Sequence, residues 1–249
     1  MWARDLFASE GAFQRTMINR RGVYDRRHNY TTEYYERLSP RKPFMFEREL
    51  IESRDAGQAR FRALDVGSGP FTFLGFELVS DELRGLQLEV TAVDPLARVY
   101  QEEIQRSGVV PPVWPLPLKG EEISGFFPPR SFDLVVSRNA IDHAIDPLVV
   151  IGNMVSLVKP GRFVIIEVLE REAEWQRCAP RKGRGAPLDA HRVASARTVQ
   201  IALRCSSFDS QWFPWFPCSR QSDVAPMLAQ HIAPSLHVVA PHSRSFLCP

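Results

Sequence analysis

Several classes of protein are excluded by what this 249-residue chain lacks. No apolar stretch approaches the roughly 20 residues that a membrane-spanning helix requires. The first residues, Met1-Trp2-Ala3-Arg4-Asp5, carry charge and lead into no apolar core, so no signal peptide is expected and the chain reads as cytoplasmic. The four cysteines, Cys178, Cys205, Cys218 and Cys248, contain no Cys-x-x-Cys pair. Even with His191, His231, His237 and His242 near them in sequence, no metal site is expected, and a cytoplasmic setting argues against disulfides. The formal net charge is only +2, and no nucleic-acid-binding module is recognisable, so no nucleic-acid partner is expected.

The charge is unevenly spread. Residues 175–249 hold eight Arg, one Lys and three Asp, a net of +6, which leaves −4 on residues 1–174. The same segment has no Glu and no Tyr, yet it holds all four cysteines and eight of the 20 prolines. That shift in composition marks a boundary near Trp175. Hydrophobic residues make up 44% of the chain, which suits one sizeable α/β domain with an appendage. Three segments follow: an N-terminal arm and helix over 1–58, a core over 59–174, and an atypical basic segment over 175–249. Within the arm, Arg20-Arg21, Arg26-Arg27, Tyr30, Tyr34 and Tyr35 read either as an exposed extension or as a lid over a site.

The core is organised around Phe61 to Val66, an apolar run that stops at Gly67-Ser68-Gly69-Pro70. A buried strand ending in a small-residue turn brings backbone N–H groups close to a ligand. A second strand, Leu86 to Val93, ends at Asp94-Pro95, where an acid can accept hydrogen bonds from the two hydroxyls of a ribose. Together the two strand ends indicate a nucleoside-containing cofactor. The third glycine of a dinucleotide fingerprint is missing, since the chain runs Gly69-Pro70-Phe71-Thr72. An NAD-dependent oxidoreductase is thereby disfavoured.

The remaining pattern alternates helices and strands. Helices are expected over Phe44 to Asp55, over Leu96 to Arg106 with Gly108 as the stop, and, interrupted at Gly75, over Phe71 to Leu83. Pro111, Pro112, Pro115 and Pro117 keep any strand there short or at an edge. A helical turn is expected over Glu121 to Phe127. Ser131 to Ser137 reads as a buried strand, and Asp146-Pro147 as the N-cap and first position of the next helix, stopped by Lys159-Pro160-Gly161. Phe163 to Leu169 is the last core strand, so the sheet should be mostly parallel with right-handed crossovers. Beyond it, Val193 to Leu203 and Leu236 to Ala240 are candidate strands, and Trp212 to Pro217 forms an apolar knot.

In this order the motifs Leu64-Asp65-Val66-Gly67-Ser68-Gly69-Pro70, Ala92-Val93-Asp94-Pro95-Leu96, Phe132-Asp133-Leu134-Val135 with Asn139-Ala140-Ile141-Asp142-His143, and Val158-Lys159-Pro160-Gly161 resemble the class I S-adenosylmethionine-dependent methyltransferases. The resemblance covers roughly residues 60 to 172. It implies an α/β fold with strands in the order 3-2-1-4-5-7-6, strand seven antiparallel. It further implies Asp65, Gly67, Ser68 and Gly69 near the amino-acid end of S-adenosyl-L-methionine and Asp94 on its ribose. Pro95 and Leu96 would lie along the adenine, Gly120 and Glu121 at its other edge, and Ser137, Asn139 and Ala140 beneath. His143 follows the fourth family strand and is the candidate base for a protonated acceptor, with a helix-capping or cofactor-shelf role as its alternative. Glu167 faces either the acceptor or solvent. The acceptor expected is a small molecule or a glycan, and a non-catalytic cofactor-binding module is the alternative.

After Trp175 the resemblance fades, and the family's closing hairpin is not recognisable. Residues after about 176 read either as a shifted frame or replacement, or as a divergent native region. The first reading leaves the sheet without its closing hairpin.

Overall fold

The computed structural model describes residues 36–169, 198–204 and 237–239. The arginine and tyrosine arm, the four cysteines and the Trp212 to Pro217 knot lie outside the described residues. So does the stretch after residue 176 on which the shifted-frame reading turns, up to residue 197.

Six strands form one sheet in the order β2-β1-β3-β4-β5-β6. These are β1 (Arg60–Val66), β2 (Gln87–Val93), β3 (Phe132–Arg138), β4 (Val158–Leu169), β5 (Thr198–Arg204) and β6 (His237–Val239). The first four are parallel, with Asp65 beside Ala92 and Val136, and Arg138 beside Glu167. Helices α1 (Glu47–Ser53), α2 (Ala97–Ser107), α3 (Ile123–Phe126) and α4 (Pro147–Leu157) accompany them. Among the described residues no helix is long and apolar enough to cross a membrane.

Strand periodicity divides the core into two layers. Leu64, Val66, Val135, Val164 and Ile166 pack on Val150, Ile151, Met154 and Leu157 of α4. Their alternates, Phe61, Ala63, Leu134, Val136 and Ile165, pack on Phe44, Phe46, Leu50, Phe73 and Leu74. Strands apolar on both faces are what a covered parallel sheet requires. The helix after β3 begins as its sequence demands: the Asp146 carboxylate accepts from the N–H groups of Leu148 and Val149, and Pro147 follows the cap. Helix α2 also forms as anticipated and closes at Gly108.

Two expectations are corrected, and a third, of a short or edge strand among the prolines, is met. Phe71 to Leu83 is not a helix. It is a series of turns with one 3-10 turn at Asp81–Leu83. Its backbone groups are engaged elsewhere: Phe76 and Glu77 N–H donate to Lys42 O, while the carbonyls of Leu74 and Glu77 accept from Met45 and Phe44 N–H. A Cβ on Gly75 would stand 2.1 Å from Pro43 O, so the two segments can lie this close only with glycine there. The Lys42–Met45 strap thus replaces helical i to i−4 bonding.

Beside β2, the strand expected of the family shrinks to a single parallel bridge between Val93 and Leu116. The prolines on either side of Leu116, Pro115 and Pro117, have no N–H with which to extend a ladder. At the other edge, β5 runs antiparallel along β4 from Phe163↔Arg204 to Leu169↔Thr198, and β6 runs antiparallel to β5. The sheet therefore does gain closing antiparallel strands. They add in chain order, not in the 5-7-6 arrangement in which the last strand enters between its predecessors.

Candidate functional site

The parallel strands all present their carboxyl ends at the same edge, where an open α/β sheet binds ligands. β1 ends in the glycine turn, whose Gly67 and Ser68 N–H groups donate to Val93 O at 2.9 and 3.1 Å. Gly67 has a φ of +76°, and a Cβ there would stand 2.3 Å from the Ala140 Cβ. The turn and the loop after β3 are thus in contact through the missing side chain. Gly67→Ala is expected to cost about 2 kcal/mol by urea unfolding, from left-handed strain and overpacking. Gly69→Ala should cost less, since nothing lies within 4 Å of a Cβ at that site.

Asp94, 7% exposed, joins the first two strand ends. Its Oδ2 accepts from Gly69 N–H at 2.9 Å and its Oδ1 from Leu96 N–H at 2.8 Å. An ionised carboxylate has about four acceptor positions, so one side chain can serve both turns at once. Pro95 begins the turn into α2, and Leu96 packs on Phe71, Tyr100 and Ile104.

Asp65 is completely buried at the end of β1, with Oδ2 accepting the Thr72 hydroxyl at 2.6 Å. Burial pushes its carboxyl up to about 6 from the ordinary 3.8; the Thr72 hydrogen bond, Arg37 and Arg138 pull it back, and Asp94 adds to the rise. Among the described residues its Oδ1 has no hydrogen-bond partner, nor do Ser137 Oγ and Asn139 Oδ1. Ser137 is 1% exposed, and Asn139 has a φ of +50°. Buried polar atoms normally find partners. Three such atoms at the ends of β1 and β3, around a turn that keeps side chains away, fit a polar amino-acid-bearing ligand.

Gly120 and Glu121, expected at the other edge of the adenine, have polar groups engaged within the protein. Glu121 Oε1 accepts from Ile145 N–H at 2.8 Å and from Asp146 N–H at 3.3 Å. Both carbonyls of the pair accept from Asn153 Nδ2, and a Cβ on Gly120 would meet Val150 Cγ1 at 2.7 Å. Their polar groups thus hold the start of α4 to the segment before α3. Asp146 is an N-cap, and His143 lies on a 3-10 turn with Nε2 3.8 Å from Asp142 Oδ2. Glu167 pairs with Arg138 at 3.2 Å, and Arg138 lies 5.0 Å over the Phe73 ring. Sequence reasoning missed Thr72, Arg37 and Arg138, for none of them stands in a motif. Among the described residues no group of three or more His, Cys, Asp or Glu is arranged to hold a metal ion.

A family model described as "Methyltransferase domain" matches residues 25–217. No curated protein matches. Among solved structures, YcgJ of Bacillus subtilis is 20% identical, with 51% of this chain and 53% of that one covered at a TM-score of 0.35. An Aquifex aeolicus S-adenosylmethionine-dependent methyltransferase is 20% identical over 58% of this chain and 70% of its own, at 0.34. Haemonchus contortus phosphoethanolamine N-methyltransferase 2, solved with phosphomonomethylethanolamine and S-adenosylhomocysteine, is 20% identical over 71% and 42%, also at 0.34. The chain spans about half the length of YcgJ. The family match itself runs through the glycine turn, Asp94, β3 and β4. The chain belongs to the methyltransferase-domain family, and its core is a mostly parallel α/β sheet.

Proposed function

We propose that the chain transfers a methyl group from S-adenosyl-L-methionine to a small-molecule or glycan acceptor. The observation that carries this reading is Asp94, which fastens the glycine turn through Gly69 and the start of α2 through Leu96 with one carboxylate. In this reading Asp94 receives the ribose hydroxyls, and Pro95 and Leu96 lie along the adenine. Asp65, Gly67, Ser68 and Gly69 surround the amino-acid end, and Ser137, Asn139 and Ala140 form the floor. Gly120 and Glu121 belong to the other edge of the adenine, steadied by their bonds to Asn153 and to the start of α4.

The bound cofactor supplies a sulfonium methyl, whose reactivity is its own. The protein's task is to keep acceptor and methyl in line and near contact, and to exclude water. His143, in the loop after β3, takes the proton where the acceptor atom carries one. A segment boundary near residue 175 belongs to the same reading, with the core before it and the strands that close the sheet after it.

The test is calorimetric titration of the full chain with S-adenosylhomocysteine. Asp94→Ala is expected to weaken binding about thirtyfold, since it removes both the diol acceptor and the brace between the two turns. Wild-type binding that Asp94→Ala leaves unchanged overturns the site. Binding without turnover on any acceptor would favour a non-catalytic module, and binding of NAD instead would favour an oxidoreductase.

A further inference from the structure

We propose that Thr72 is a positioning residue for the cofactor site: its hydroxyl holds the Asp65 carboxyl in the ionised form that receives the α-ammonium of S-adenosylmethionine. This rests on the reading of the strand ends as the S-adenosylmethionine site.

The geometry begins with burial. Asp65 is 0% exposed and Thr72 2%, so neither side chain has solvent to share. Their oxygens stand 2.6 Å apart, a separation that matches a hydroxyl donating to an ionised carboxylate. A third group fixes the direction of that bond. Leu74 N–H donates to Thr72 Oγ1 at 3.3 Å, occupying one lone pair of the hydroxyl. The hydroxyl proton is then directed to Asp65 Oδ2. With Asp65 ionised, every hydrogen of the trio has an acceptor. With Asp65 protonated on Oδ2, the hydroxyl proton loses its acceptor there.

Charge around the pair acts in both directions. Arg37, before α1, and Arg138, at the end of β3, favour the carboxylate, and Asp94, after β2, opposes it. Arg138 is itself paired with Glu167 of β4, which moderates its help. Burial outweighs all of these. In that balance one strong hydrogen bond decides how much of Asp65 is charged near neutrality. It leaves Oδ1 as the oxygen without a partner among the described residues, so Oδ1 is the atom that meets the ammonium. The strap that keeps 71–79 out of a helix is what sets Thr72 at this place.

The experiment titrates the full chain with S-adenosylhomocysteine, and separately with adenosine, from about pH 5 to about pH 8, on wild type, Thr72→Val and Thr72→Ser. Adenosine carries the ribose and adenine but no amino-acid end. Wild-type affinity for S-adenosylhomocysteine is expected to fall as pH drops through the Asp65 titration, while adenosine affinity stays level. Thr72→Val should move the midpoint of that fall to higher pH and weaken S-adenosylhomocysteine about tenfold near pH 7. Thr72→Ser should restore both. If Thr72→Val does not fold, the wild-type profiles for the two ligands and the Ser variant still decide. The proposal is overturned if the Val and wild-type profiles coincide, or if adenosine loses as much as S-adenosylhomocysteine. Failure of folded wild type to bind S-adenosylhomocysteine at any pH would instead remove the cofactor reading on which the proposal stands.

Discussion

Asp133→Ala is expected to lower the unfolding free energy by about 3–5 kcal/mol, the largest loss anticipated for any single substitution in this protein. Asp133 opens β3 at the end of the sheet opposite the site, and it is 1% exposed. Its Oδ2 accepts from Arg62 N–H at 2.9 Å; its Oδ1 accepts from Gln58 Nε2 at 3.0 Å and from Lys159 Nζ at 2.8 Å. Arg162, whose side chain is 3% exposed, lies 3.5 Å away through Nε and also donates to Asp55 and Gln58. One carboxylate therefore joins the starts of β1, β3 and β4. Truncation would leave a buried guanidinium beside a lysine and an unsatisfied backbone N–H, the costly way to break a charged cluster. Asp133→Asn keeps an acceptor for Arg62 and should fall between the two. Urea unfolding midpoints measure the series, and a loss below about 1 kcal/mol for the alanine variant would contradict this account.

Asp65→Asn is expected to act in the opposite direction on stability while damaging the site. The folded-state carboxyl sits at about 6 against an ordinary 3.8. Between those values the native protein holds a proton that the unfolded chain has released. Stability therefore falls as pH rises from about 4 to about 6, and the accumulated penalty persists above that range. A shift of roughly two units corresponds to about 3 kcal/mol. The amide carries no charge to bury, and its oxygen can still accept from Thr72. Unfolding at about pH 7.5 should thus show the Asp65→Asn variant gaining on the order of 2–3 kcal/mol, with the gain vanishing near pH 4. The same variant should bind S-adenosylhomocysteine at least tenfold more weakly, since a neutral amide cannot answer an ammonium. A gain that does not change with pH would mean that burial of charge is not its source. Sites tuned for function commonly carry stability costs of this sort.

What was legible in the sequence was local. The turn after β1 is specified by two glycines, the α4 start by Asp146-Pro147, and the β3 core by an unbroken apolar run, each within a few residues. The position of Asp94, directly after β2, follows from the apolar run before it. The segment after the turn was misread because helical spacing between Phe71 and Leu83 says nothing of the backbone bonds from Lys42 and Met45 that displace the helix. The Leu116 strand was reduced by its flanking prolines, which the sequence did show. Glu121 occupies a motif-like position, yet its carboxylate holds the N–H groups of Ile145 and Asp146, some 24 residues on. Thr72 and the Asp133 cluster depend on contacts that only the folded chain assembles.

The order in which β4, β5 and β6 lie side by side also bears on synthesis. Each strand joins the edge left by the one before it, so no hydrogen-bonded pair has to open to admit a later arrival. The four parallel strands end at Leu169 and can assemble while the rest of the chain is still being made. β5 and β6 can then be laid on in the order in which they leave the ribosome. A sheet whose final strand enters between two others must hold a gap until translation is complete. Among the described residues no strand has to wait in this way, and the β4 edge of the nascent core stands open until β5 arrives.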